Sequence, residues 1–403
     1  MAKKHAVPPR LRQQRLTALR NLKMAKSAHA YVRGNVVQFY DWLEQAGRVL
    51  PQGPEIWICG DCHVSNMGPV SDVDGNVDIQ IRDLDQTVIG NPAHDLIRLG
   101  VSLATSARGS DLPGVVTAQM QEELIAGYEL ALSPSGHARV ERPATIRVVM
   151  KRALKRRWKH LAEERLQDTT PDIPLGRKFW PITANEQQEL QALAASDAMR
   201  NLVTQLIHRK VDAPIQLLDA KYWVKGCSSL GYLRYAVLLS VGRADKGKPD
   251  LCLIDIKEAL RAAAPHAKGS PMPRSNADRI VQGAKHLAPH LGERMLAAKI
   301  QGKSVFVREL RPQDLKIDLD RLTSREAMGI ARYLGHLVGR AHASQLDRKQ
   351  RQQWLRDLKL QRPASIDAPS WLWRSVVELI QAHEGGYLDH CRGFALEQAQ
   401  QQD

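Results

Sequence analysis

Near residue 212 the chain changes character. DAKYWVKGCSSLGYLRYAVLLSVG reads as strand, Gly-rich turn, strand. ADKGKPD is a second turn signal, and LCLIDIKEAL a third strand. Strands this close in sequence pair as an antiparallel sheet. The flanking chain is patterned mostly as helix, so the fold has to seat a small sheet between helix-rich segments. The expectation is an α+β protein with a helix-rich lobe over 1–210, a sheet lobe over 211–312 and completing helices over 313–403.

Local signals fill in this frame. Leu16, Leu19 and Leu22, then Val36, Val37, Tyr40 and Leu43, give helical spacing over 13–50. PQGP at 51–54 stops it. EIWICG reads as a buried strand, VDIQIRDLD (77–85) as an alternating one, and GNP (90–92) as a turn. Helical patterns follow from HDLIRLGVSLATSA, over 115–132, 145–166 and 185–209, with an irregular Pro-containing connection at 168–184. A helix is expected over 275–299, broken near Pro289, then the strand SVFVREL, a helix over 323–344 and more helix beyond. Residues 1–12 read as a basic arm and QAQQQD as a frayed tail.

The formal net charge is +15, which favours anionic partners such as nucleotides, nucleic acid or acidic surfaces. Five scattered Cys argue against a disulfide framework and for a reducing compartment. Cys59 and Cys62 form a lone C-x-x-C with no second pair at zinc spacing. MAKKHAVPPRLRQQRL leads into no apolar core of a signal peptide, and no run nears the ~18 apolar residues of a membrane span. The expected location is the cytoplasm. TIRVVMKRALKRRWKHLAEERL is rich in Lys and Arg. Its basic stretch, 147–165, is a solvated helix face or a patch for an acidic partner.

The chemistry concentrates in ICGDCHVSNMG (58–68) and RDLDQTVIGNPAHDL (82–96). Asn is a neutral oxygen ligand and Asp an anionic one, a pairing that suits magnesium. Asp61, five residues before Asn66, can address a different atom, such as an acceptor hydroxyl. Phosphoryl transfer divides its labour this way. Gly60-Asp61-Cys62-His63-x-x-Asn66 resembles the catalytic loop of the aminoglycoside and choline kinase group. Asp83, Gly90, Pro92, Asp95 and Leu96 match that group's metal-Asp segment. Gly226-Cys-Ser-Ser-Leu-Gly231 is a turn whose backbone can approach phosphates. Lys257, on the third strand, matches the lysine that kinases aim at the nucleotide. Its ion-pair partner stays open among Glu258, Asp278, Gln282 and Glu293.

The order of these parts is reversed relative to conventional kinases, which a circular permutation explains. The whole chain also resembles the bacterial DUF2252 family. The matching pieces are KMAKSAHAYVRGN, GDCHVSNMG, IRDLDQTVIGNPAHDLIRLGVSLA, VKGCSSLGYLRYAVLL, DIKEA, RIVQG, FVREL and RAHASQLD. Met67 stands where that pattern usually has Phe, and Arg82 where it often has Asn. The resemblance implies a two-lobed, protein-kinase-like fold and an ATP- and Mg2+-dependent phosphotransferase. Asp61 would orient and partly deprotonate the acceptor, and His63 would hold Asp61. Asn66, Asp83 and Asp85 would bind the metal. Gly226, Ser228, Ser229, Gly231 and Lys257 would bind phosphates, with adenine at the backbone from Glu309 to Arg311. Arg33 either reaches the cleft or pairs with a carboxylate, and His342 is a cleft residue or a satisfied core histidine. Nucleotidyl transfer on the same fold and a nucleotide- or nucleic-acid-binding pseudokinase are the alternatives. A metallophosphoesterase would need further His and Asp motifs that the chain lacks.

Overall fold

The structure, a computed structural model, describes residues 7–26, 31, 35–45, 50–134, 140–166, 172–227, 229–242, 250–317, 319, 322–361 and 370–400. Arg33, Ser228, residues 1–6 of the basic arm and residues 401–403 of the tail lie outside the described residues.

The chain begins with helices α1 (Arg12–Ala25) and α2 (Val36–Gln45). Four short strands follow: β1 (Ile56–Ile58), β2 (Met67–Ser71), β3 (Val77–Ile81) and β4 (Val88–Gly90). Helices α3 (Ala93–Gly109), α4 (Gly114–Leu132), α5 (Ala144–Lys155) and α6 (Trp158–Arg165) come next. Then come β5 (Phe179–Trp180), α7 (Ala184–Ala195) and α8 (Asp197–Thr204). The sheet region holds β6 (Ile215–Trp223), β7 (Arg234–Val241), β8 (Asp250–Glu258), α9 (Asn276–Leu287), α10 (Pro289–Gly292), β9 (Met295–Ile300) and β10 (Lys303–Leu310). Helices α11 (Ser324–Ala343), α12 (Arg348–Leu360) and α13 (Trp371–Gln400) end the chain.

The main sheet has six antiparallel strands in the order β5-β6-β7-β8-β10-β9. Strand alternation sorts its two faces. Cys252, Ile254 and Ile256 of β8 pack with Tyr235, Val237 and Leu239 of β7 against Leu190, Met199 and Leu202 of α7 and α8, joined by Leu16 of α1. Leu253, Asp255 and Lys257 point the other way. There Leu253 joins Ala236, Leu238 and Leu310 under Leu161, Leu166 and Ile173. In space, therefore, the sheet layer takes in residues 179–204, ahead of the chain position 211 expected from the sequence.

Several elements differ from the sequence expectation for local reasons. Residues 295–300 are strand, not helix. Ala288 leaves helical backbone just before Pro289, and Gln301-Gly302 turns the chain with φ of 54° and 69°. Two successive positive-φ residues make the tight hairpin that pairs β9 with β10. The 145–166 helix divides at Arg156, whose ψ of 146° is extended. The 185–209 helix divides at Ser196, which caps α8 by accepting from Met199 N. VDIQI pairs with β2 and leaves the ladder after Ile81, while β1 pairs with β4, across the segment read as a turn.

The helical layer is centred on the parallel seam between α4 and α11, along which Leu124 meets Gly335 and Tyr128 meets Gly339. Glycines set its spacing: a Cβ on Gly335 would lie 2.1 Å from Leu124 O, and one on Gly127 2.0 Å from Arg332 O. Only backbone-to-backbone approach at these points brings the two helices so near. Gly335→Ala is expected to destabilise the protein by about 1–3 kcal/mol, the usual cost of overpacking. It reads out as a lower urea midpoint with an unchanged m-value.

Candidate active site

The site starts at the turn after β1. Asp95, in the first turn of α3 and fully buried, accepts the backbone N–H of Cys59 at 2.7 Å and of Gly60 at 2.9 Å. His342 Nε2 lies 3.2 Å from the same carboxylate, and its Nδ1 is 2.9 Å from Tyr128 Oη, which accepts from Trp354 Nε1. His342 is thus a satisfied core histidine. Gly60 adopts φ +74°, and a Cβ there would sit 2.2 Å from Gln86 O, so only glycine makes this turn. Tyr40 Oη donates to Gly60 O at 2.6 Å.

That turn presents Asp61. Buried Arg98, three residues after Asp95 on α3, donates Nε–H to Asp61 Oδ1 at 2.8 Å. His63 Nε2 stands 3.9 Å from Asp61 Oδ2. Asn66 Nδ2 donates to Asp61 O at 3.0 Å, tying the two ends of the loop. The β2–β3 ladder pairs Met67 with Ile81, and Arg82 N donates to Asn66 O at 2.7 Å. The hairpin thereby carries Asn66 and Asp83 to the same end.

Asp83 and Asp85 leave the hairpin beneath the main sheet. Lys257 of β8 hydrogen-bonds Asp85 Oδ2. Its partner is therefore Asp85, none of the four residues considered from sequence. Glu258 instead accepts from Leu233 N at 2.8 Å and pairs with Lys303 at 3.1 Å. On α9 the inward residue is Arg279. It donates to Asp85 O at 3.0 Å, Leu260 O at 2.7 Å and Thr87 O, pinning the segment to the helix.

Around these carboxylates lies a cationic wall that the sequence reading missed. Arg234 of β7 forks onto Asp255 at 2.9 and 2.6 Å, and Arg308 of β10 donates to Arg82 O at 3.0 Å. Period-2 alternation along β7, β8 and β10 was the available signal, since it puts Arg234, Asp255, Lys257 and Arg308 on one face. Asp83 is open to solvent along the cleft, although protein surrounds it on most sides. Enclosure pushes its carboxyl up, but Lys257 and Arg308 outweigh that and hold it below the ordinary value. Burial and the abutting Asp83 push Asp85 up to about 6, despite Lys257.

The donor set fits a hard divalent cation. Asp85 Oδ1 is enclosed and receives no hydrogen bond among the described residues, while its carboxylate lies against that of Asp83. Lys257 holds Asp85 Oδ2, so a cation or a proton at Oδ1 would be the second positive group on this pair of carboxylates. The Asn66 amide stands at the same end of the hairpin.

The Gly-rich turn overhangs Lys257 and Asp85, sharing a cavity of about 1010 Å3 with them. Gly226 and Gly231 have φ of +94° and +104°. Lys23 of α1 donates to Gly226 O at 2.8 Å, and Ser229 Oγ to Lys225 O at 3.2 Å. Glu309, named in the adenine-contact expectation, stands apart from this group. Its carboxylate is buried in a fork with Arg209 at 2.9 and 3.1 Å, its N–H donates to Arg294 O, and its carbonyl accepts from Arg294 at 2.7 Å. Cys59, Cys62 and buried Asp95 cluster, yet both Asp95 oxygens already accept backbone N–H donors. Burial pushes the Cys62 thiol well up, so this pair serves as core.

A family model described as an uncharacterized protein conserved in bacteria, DUF2252, matches residues 12–393, and the chain belongs to that family. No curated protein and no solved structure matches it. Among the described residues no helix is long and apolar enough to cross a membrane.

Asp95→Ala strands two backbone N–H groups and His342 in the core. The expected loss is about 3–5 kcal/mol, read by urea unfolding. A divalent cation held by this pair would compete with the Asp85 proton, so a Mg2+-dependent rise in melting temperature is expected to be small near pH 5 and to grow toward about pH 7. Without Mg2+, the Asp85 contribution to stability falls as pH rises through about 6, since the folded state holds that proton more tightly.

Proposed function

We propose that the protein is an ATP- and Mg2+-dependent phosphotransferase acting on a hydroxyl acceptor, built on a circularly permuted, two-lobed, kinase-like fold. The observation that carries the reading is Lys257. It lies on β8, the second strand after the Gly-rich turn, in contact with Asp85 and beside Asp83. The sheet supports the permutation: β6-β7-β8-β10-β9 with α9 between β8 and β9, and the Asp61 loop earlier in the chain.

In this reading Asp61 accepts the hydrogen bond of the acceptor hydroxyl, with Arg98 fixing its orientation. Phosphoryl transfer passes through a loose transition state, so placing the hydroxyl matters more than removing its proton. Asn66, Asp83 and Asp85 hold magnesium, which when bound neutralises phosphate charge. Lys257 exchanges Asp85 for phosphate oxygens, with Arg234 and Arg308 beside it on the same face of the sheet. The Gly226–Gly231 backbone covers the phosphates.

Thermal unfolding tests the site first. ATP with Mg2+ at a hundred times its dissociation constant adds about 2.7 kcal/mol to wild type. Asp83→Asn is expected to lose the Mg2+-dependent part of that shift while melting normally without ligand. An acceptor screen with ATP labelled at the γ- or the α-phosphorus then separates phosphoryl from nucleotidyl transfer. Asp61→Ala should lower the rate at least about a hundredfold while still binding nucleotide. Retained transfer in Asp61→Ala would overturn the role of this loop.

A further inference from the structure

At the β10 end of the main sheet, the face turned toward the helical lobe is closed. Ala236, Leu238, Leu253 and Leu310 are packed under Leu161, Leu166 and Ile173 of α6 and the chain after it. The backbone that follows β10 is occupied as well. Arg156 donates to Pro312 O at 2.6 Å, Gln313 donates back to Arg156 O at 3.2 Å, and Arg311 N donates to Asp314 Oδ2 at 3.3 Å. A separate recess of about 20 Å3 lies among Asp83, Asp85, Lys257, Arg234, Asp255 and Arg308. That is room for about one water molecule.

On the other side of Lys257 the protein is open. The cavity of about 1010 Å3 runs from Lys257 and Asp85 outward between α1, α2 and residues 260–265. Ligand pockets for whole small molecules run from roughly 300 to 1,000 Å3. Its walls set apolar Val37, Ala262 and Pro265 beside the amide of Asn35 and charged Asp41 and Arg261. Apolar surface for the base, with amide and carboxylate groups for the sugar hydroxyls, suits a nucleoside.

We infer that this outer cavity is a nucleoside-binding site: a nucleotide whose phosphates meet Lys257 and Asp85 lays its sugar and base between α2 and the 260–265 segment, away from the Pro312 end of the sheet. The inference rests on the phosphotransferase reading for the phosphate end and adds the orientation. Packing decides it: Leu161, Leu166 and Ile173 cover the sheet face that leads to Pro312, whereas the cavity beside Lys257 has the volume of a nucleoside site.

Two measurements test the orientation. Wild type is photolabelled with 8-azido-ATP and Mg2+, and the peptides protected by excess ATP are mapped. Label within 35–44 or 260–265 is expected, and label within 156–180 or 310–313 overturns the orientation. In parallel, ATP and inorganic triphosphate, each with Mg2+, are titrated against wild type and Ala262→Trp. The variant is expected to lose at least about tenfold in ATP affinity and to keep its triphosphate affinity. Unchanged ATP affinity, or equal loss of both ligands in a variant that melts like wild type, overturns the nucleoside site. Wild type that binds triphosphate with no ATP preference also overturns the nucleoside site and leaves the phosphate site standing. Wild type that binds neither ligand at millimolar concentration overturns the phosphotransferase reading and the orientation with it.

Discussion

The buried carboxylate of Asp95 is the interaction on which the site depends. It has no solvent to stabilise its charge, so its oxygens are satisfied from within the protein, by two backbone N–H groups and His342. That arrangement fixes the turn at Gly60, which fixes where Asp61 leaves the backbone. It also links four parts of the chain, since His342 lies on α11, Tyr128 on α4 and Trp354 on α12. The close α4–α11 seam is what brings the histidine within reach. A glycine seam in the helical layer and the direction of a carboxylate in the cleft are thus parts of one packing problem.

The cleft above this turn is built differently, from charges that are nearly balanced. Asp255 forks with Arg234 and also meets Arg308, while Lys257 takes Asp85. Each pair is costly to bury, and breaking one would leave an uncompensated charge. Asp83 remains open toward the cleft, with cations on several sides. Acidic and basic groups are thus interleaved through the cleft, each charge held by a neighbour of opposite sign.

Much of this was legible in the sequence. Asp61, Asn66, Asp83, Asp85 and Lys257 were picked out from residue type and from the resemblance, and the structure gathers Asp83, Asp85 and Lys257 into one cluster while the Asp61 loop tethers Asn66. Three long strands and most helices were visible as periodicity. What was not legible depends on pairings between distant segments. Asp85 as the partner of Lys257 is a contact across 172 residues. The cover that α6 places over the sheet follows from packing of Leu161 and Ile173, residues with nothing unusual about their local pattern. β9 was hidden because MLAAKI has helix-forming composition. The positive-φ pair Gln301-Gly302 overrides that preference, and Gly302 was its only local sign.

Helix α1 contacts both the Gly-rich turn and α13. Lys23 reaches Gly226 O across 203 residues, and Tyr387 and His390 reach the carbonyls of Ala25 and Asn21 across 362 and 369. Contacts of that range form late, after the chain has met the entropy of closing very large loops. During synthesis the first helix meets its partners in two instalments: Glu186, the sheet core and Gly226 by mid-chain, and α13 only at the end. The brace on the Gly-rich turn therefore exists before the helix that carries it is held on its other side. A chain stalled between the two would carry a braced turn on a half-seated helix.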